Sequence, residues 1–352
     1  MLRLRFILVI PASFVDIRNP PEERLVEEAA KRGLFISMHH VEPMGVSAFA
    51  YQNYWEEKGE KPLFSFYSEP EKLKQTWQEY AERWAKYPNV IWQIGLRGIA
   101  DRPMWLADPG VPQSDSDRGS IISEAIQVQS EIIQGLDQTK NPLMSTTLWA
   151  EGAGLNQEGH LNFPDSILII FADNSPGWKW QQDFYKTKRD PASKYGVYYH
   201  HQLWSSGPHL AQGVPPKKTY QMFEEAVNTN ATEYAIMNIS NVREFVLGIE
   251  ASAVMLYDMA AFEPDAFMEN WFQSHFGTAG KKVQEVYGAY FDSYLEHEIT
   301  KSPFLLDGQT NSYGRRLLNR LKLQINDPKE YQKRLVADRK ATQEKTWGKR
   351  YL

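Results

Sequence analysis

Seven short apolar runs, each followed by a stretch with helical periodicity, constrain the fold of this chain more than any other feature. The runs cover residues 4–10, 34–39, 90–96, 143–149, 167–172, 197–203 and 234–239. Near-continuous apolar runs of this length suit parallel strands covered on both faces. Helices are expected at 22–31, after the Pro20–Pro21 pair that favours a helix start, and at 71–86, where Leu73, Trp77, Tyr80 and Trp84 recur at spacings of three and four. Others are expected at 120–136, 218–227 and 244–257. No hairpin signal interrupts the alternation, which argues for an α/β fold with a parallel sheet. Eight such units close a (β/α)8 TIM-type barrel, so the reading is a barrel lacking its first strand, with the missing strand placed before Met1. An open doubly wound sheet is the alternative, and no glycine-rich phosphate loop follows the first strand to favour it.

The pattern changes near residue 262. Segments 264–276, 281–295, 313–325 and 328–345 read as helices, the last two highly charged. The expected organisation is a barrel domain over 1–262 and an α-helical region over 263–352, a candidate surface for a homodimer. The basic start, Arg3 and Arg5 before an apolar stretch, imitates a signal peptide. That stretch is shorter than the ~7–15 residues a signal needs, and residues 3–10 read as a buried strand.

Composition narrows the chemistry. The chain has no cysteine among 352 residues, which excludes disulfides, thiolate nucleophiles and thiolate metal sites. A net charge of −5 gives no electrostatic case for nucleic acid. No apolar run reaches the ~20 residues needed to span a bilayer. Aromatic residues make up 13% of the chain, suited to a large core or to sugar-stacking clefts.

In parallel α/β folds the chemistry sits beyond the carboxyl ends of the strands. Six successive runs end in polar residues: His39, His40 and Glu42; Arg97 and Asp101; Glu151; Asp173 and Asn174; Tyr199 and His200; Asn238 and Asn241. Unpaired burial of such groups costs several kcal/mol, so a set of six points to a site. Each also has a structural reading: a core histidine, a loop ion pair at Arg97 and Asp101, a helix cap at Asp173–Asn174. No Gly-x-Ser-x-Gly elbow, phosphate loop or His-Glu-x-x-His motif is present. No metal and no cofactor is expected. What remains is carboxylate chemistry in an aromatic cleft, the pattern of glycoside hydrolysis.

These motifs resemble glycoside hydrolase family 115, the xylan α-glucuronidases. The resemblance rests on residues 2–11, on His39–His40 with Glu42–Met44, on Gly95–Asp101, on Ala150–Glu151 and Ala172–Asn174, on Gly196–His200 with Gly207–Pro208, and on Asn238 to Asn241 with Arg243. It implies a catalytic barrel followed by helices, and removal of glucuronic acid or its 4-O-methyl ether from xylan with inversion. Asp101 and Glu151 become the expected carboxylate pair, their acid and base roles open. His39, His40, Glu42, Arg97, Asn174, Tyr199, His200, Asn238 and Arg243 become expected substrate contacts, Arg97 or Arg243 gripping the uronate. The implied partner is a uronic-acid-bearing polysaccharide, and the implied location of a complete protein is periplasmic or extracellular. The family's Asn-Asp-Glu strand has no counterpart here, and Asn241 stands where the family has aspartate.

Overall fold

The computed structural model describes residues 2–11, 13–136, 141–165, 167–174, 177–201, 212–239, 242–294 and 309–333. Among these described residues, seven strands alternate with helices and lie side by side in chain order in one sheet. They are β1 (Leu8–Val9), β2 (Phe35–Ser37), β3 (Val90–Gln93), β4 (Met144–Leu148), β5 (Ile167–Ala172), β6 (Lys194–His200) and β7 (Tyr234–Asn238). The helices are α1 (Pro20–Lys31), α2 (Ala48–Glu56), α3 (Pro70–Trp84), α4 (Asp115–Leu136), α5 (Glu151–Gln157), α6 (Gln182–Lys186), α7 (Pro216–Asn228), α8 (Val246–Tyr257), α9 (Pro264–Phe276), α10 (Gly280–Asp292) and α11 (Gln309–Asn326). No helix among the described residues is long and apolar enough to cross a membrane.

The chain divides into two compact units, residues 1–171 with 186–196, and 172–185 with 197–352. In the first unit β1 to β5 pair in parallel, with Trp92 opposite Met144 and Met144 opposite Ile167. Helix α3 buries Leu73, Trp77, Tyr80 and Trp84, the stripe that its periodicity predicts. Helix α4 buries Ile122, Ile126 and Ile133, and also Gln129, a polar residue within that stripe.

The start of the chain departs from expectation. Only Leu8 and Val9 form a strand, both half-buried, after a 3-10 turn at Leu2–Leu4. This strand is at the sheet edge, where Ile7 is 64% exposed, so apolarity here does not mark burial.

The second unit contains the ends of β5 and β6, all of β7, and the helices from α6 onward except Lys186. Its break does not follow the expected boundary at 262. Leu247 of α8 shares one apolar cluster with Trp271 and Phe272 of α9 and Phe291 of α10. Of the expected terminal helices, α11 is present and 328–333 is helical. Residues 334–345, the Gly207–Pro208 segment and Asn241 lie outside the described residues.

Candidate active site

The first unit gathers two acids around one arginine. Strand β3 ends at Gln93, and the loop that follows carries Arg97 and Asp101. Arg97 Nε and Nη2 donate to Asp101 Oδ1 at 3.1 and 2.8 Å, and Nη2 also donates to the Asp101 carbonyl oxygen. Its Nη1 donates to Glu151 Oε1. The carboxylates therefore sit on one guanidinium, no farther apart than two hydrogen bonds and the width of its fork. His40, from the end of β2, places Nε2 3.3 Å from Asp101 Oδ1, and its ring lies 5.5 Å from that of Trp149.

The environments of the two acids differ. The Asp101 side chain is 35% exposed and that of Glu151 only 2%. Burial works to raise Asp101, but the charges of His40 and Arg97 outweigh it and hold the carboxyl well below the usual range. For Glu151 burial dominates and pushes its proton affinity up, with Arg97 opposing. Glu151 follows the end of β4 and opens α5. Its Oε2 is buried without a hydrogen-bond partner among the described residues. It lines a cavity of about 30 Å³ with His40, Gln93, Arg97, Thr146, Thr147 and Trp149. That space suits a water or two rather than a sugar ring.

Backbone strain collects at these strand ends. Met44, Ala100, Asp101 and Ala150 all have φ between 50 and 61°. Ala150 combines φ 50° with ψ −109°, a conformation that non-glycine residues rarely adopt. Strain of this kind persists where the surroundings over-determine the backbone, and functional sites are enriched in it.

Glu42 is not brought to Arg97. It is 3% exposed and accepts a hydrogen bond from the Phe14 amide. Burial, with Glu22 and Asp16 nearby, pushes its carboxyl up to about 9. His39 is half-buried, with its ring 4.3 Å from that of His40.

In the second unit, alternation along β6 sorts the expected contacts. Tyr199 is fully buried among Trp180 and Phe223, and its hydroxyl donates to the Gly177 carbonyl at 2.9 Å. It packs on the core face of the strand, against these rings. Tyr198 and His200 share the opposite face, their rings 4.6 Å apart. Asn238 Nδ2 donates to the Tyr198 hydroxyl at 2.6 Å. Asp173, expected as a polar strand end or a helix cap, has a carboxylate that grips His200 twice. It accepts from the His200 amide at 2.8 Å and lies 2.7 Å from Nδ1, which fixes the ring and its tautomer. Asn174 Oδ1 accepts from the Trp178 and Lys179 amides at 3.4 and 3.3 Å, and Arg243 is exposed. Among the described residues no group of three histidine or acidic side chains is placed to hold a metal ion.

Comparison with known proteins agrees with this arrangement of strands. No curated protein matches the chain. A solved structure described as a family 115 4-O-methyl-α-glucuronidase with specificity for decorated arabinogalactans superposes with a TM-score of 0.63 at 19% identity. The match covers 75% of this chain and 34% of that one. The model of glycosyl hydrolase family 115 matches residues 1–299, so the chain belongs to glycosyl hydrolase family 115.

Proposed function

We propose that this chain carries the acid pair of an inverting glycosidase that removes glucuronic acid, or its 4-O-methyl ether, from a polysaccharide side chain. The observation that carries the reading is the single guanidinium of Arg97 holding Asp101 and Glu151 from neighbouring strand ends. The seven-stranded parallel sheet is read as a (β/α)8 barrel short of one strand. Inverting pairs stand ~6.5–9.5 Å apart and retaining pairs ~5–5.5 Å; the Arg97 bridge bounds the separation from above, so the inverting outcome is taken from the family resemblance. The unlike environments divide the roles. Asp101, ionised and open to solvent, activates water. Glu151, with its raised proton affinity, protonates the leaving oxygen. Arg97 has all three nitrogens on the acids, so it positions them rather than gripping a uronate. His200, Asn238 and Asn174 stay candidates for sugar hydroxyls within their own unit, and Arg243 for a carboxylate.

A second reading, a carbohydrate-binding relative without turnover, is favoured by one observation: Glu151 is almost closed to solvent. One experiment separates the two. The chain is incubated with 4-O-methylglucuronoxylan and with a uronate-decorated arabinogalactan, and the first-formed anomer is followed by proton NMR. Release of the β-anomer from the α-linkage supports the proposal, with D101N and E151Q each slower by roughly 10²–10⁴-fold. The α-anomer rules out inversion. Calorimetric binding without release favours the second reading.

A further inference from the structure

Gln129 is a buried polar residue that the chemistry above does not use. It lies on α4 with no solvent exposure, in line with Ile122, Ile126 and Ile133. Its side-chain amide makes two bonds to one backbone residue: Oε1 accepts from the Gly95 amide and Nε2 donates to the Gly95 carbonyl, each at 2.8 Å. Ladder pairing of β3 with β4 ends just before this point, where the Ile94 amide donates to the Ser145 carbonyl at 2.8 Å. Gly95 has φ +143°, so the chain turns out of the sheet here, and its amide and carbonyl need partners that a strand no longer provides. Gln129 supplies both with the donor and acceptor pattern of a neighbouring strand.

The segment that follows is closed on itself. The Gly98 amide donates to the Arg102 carbonyl at 2.7 Å, and Arg97 is tied to Asp101. Motion at Gly95 would thus carry Arg97, and with it the grip on both acids, as a unit.

We propose that Gln129 is a positioning residue: it holds the exit of β3 and so sets where Arg97 presents Asp101 and Glu151. The proposal rests on the glycosidase reading for its effect on rate, but not for its effect on the geometry of Asp101.

The test compares Gln129→Met, which keeps shape and loses both bonds, with a substitution of Ile133, valine or alanine, matched to it in loss of unfolding midpoint. Ile133 is buried on the same helix. Two readouts are taken. The first is kcat and KM for uronic acid release, where a displacement of about 1 Å can cost on the order of 10²-fold. The expected result is a loss of roughly 10–100-fold in kcat for Q129M, with little change in KM, and near wild-type kcat for the Ile133 variant. The second is the Asp101 carboxyl titration by carbon-13 NMR without substrate. It is expected to move up toward the ordinary carboxylate range in Q129M alone. If the wild-type chain releases no uronic acid, the glycosidase reading fails while the titration still decides this proposal. Equal behaviour of Q129M and the matched Ile133 variant in the titration overturns it.

Discussion

Arg97 shows at the scale of one residue how burial turns charge into a constraint. The buried Arg97 guanidinium depends on the two acids bonded to it, and the buried Glu151 on Arg97, because removing a partner leaves a polar group out of water without compensation. R97M is therefore expected to destabilise the protein by about 3–5 kcal/mol, read by urea unfolding at pH 7. The R97M/E151Q double variant should recover part of that loss, since it no longer leaves the buried Glu151 carboxyl without the partner Arg97 supplies. Additive losses would show that the contact is not energetically coupled. Glu42 gives a second residue-scale prediction, in which pH sets the sign. It titrates near 4.5 when unfolded and at about 9 when folded, burial being the main cause. Between those values the folded chain holds a proton that the unfolded chain has lost. The stabilising contribution is full below about 4.5 and is lost as pH rises to about 9. E42Q should flatten this dependence and gain on the order of 4 kcal/mol relative to wild type on going from pH 5 to pH 8. Unfolding midpoints at the two pH values check it, and parallel curves would remove Glu42 as the source.

At the scale of elements, local pattern and tertiary placement carry different information. Strand β5 is found at the bounds its apolar run predicts, and α3 buries the four residues its spacing selects. Those elements are long enough for periodicity to fix a face. Apolar content overstates the length and burial of β1, because it does not reveal an edge position. Helix α2 is not among the expected helices, although Ser47 caps it, its hydroxyl accepting from the Ala50 amide at 3.0 Å. Tyr198 and Tyr199 were indistinguishable in sequence, since adjacent residues take opposite faces and only the neighbours Trp180 and Phe223 decide which is inward. Strain at the β4–α5 turn was also invisible, because Ala150 carries no sign of its positive φ. Replacing it with glycine should relieve about 1–3 kcal/mol of strain. The more flexible unfolded chain returns about 0.5–1 kcal/mol of that. The expected outcome for A150G is a net gain near 1 kcal/mol by chemical unfolding, and a loss of stability would show that the turn is not strained. Glycine at 98 is the reverse case: a Cβ there would stand 2.8 Å from the Arg102 and Pro103 carbonyl oxygens, which are backbone and cannot move aside cheaply. G98A should open the 95–102 loop to limited proteolysis.

For the whole molecule, the question is where the chain can be cut. The sequence suggests a division at 262, because the strand–helix alternation stops there. The structure ties the two sides of that point together: Leu247 before it and Trp271, Phe272 and Phe291 after it belong to one cluster, with Val246, Phe267 and Tyr287 packed on it. Helix α8 is apolar over nearly its whole length, and a helix apolar on all faces needs cover. Ending the chain at 262 would strip three buried aromatic rings from that cover, each worth about 1.5–3 kcal/mol when buried, against a typical stability of only about 5–15 kcal/mol. A 1–262 fragment should therefore be insoluble or lose cooperative unfolding, as judged by near-ultraviolet circular dichroism and dye binding to exposed apolar surface. The break between compact units gives no better place. It falls inside β5 and β6, each of which begins in one unit and ends in the other, so a cut there severs a strand rather than a linker. A soluble, cooperatively folding 1–262 fragment would show that α9 and α10 only decorate α8, and the helices after 262 would then be a separable domain as the sequence pattern suggests.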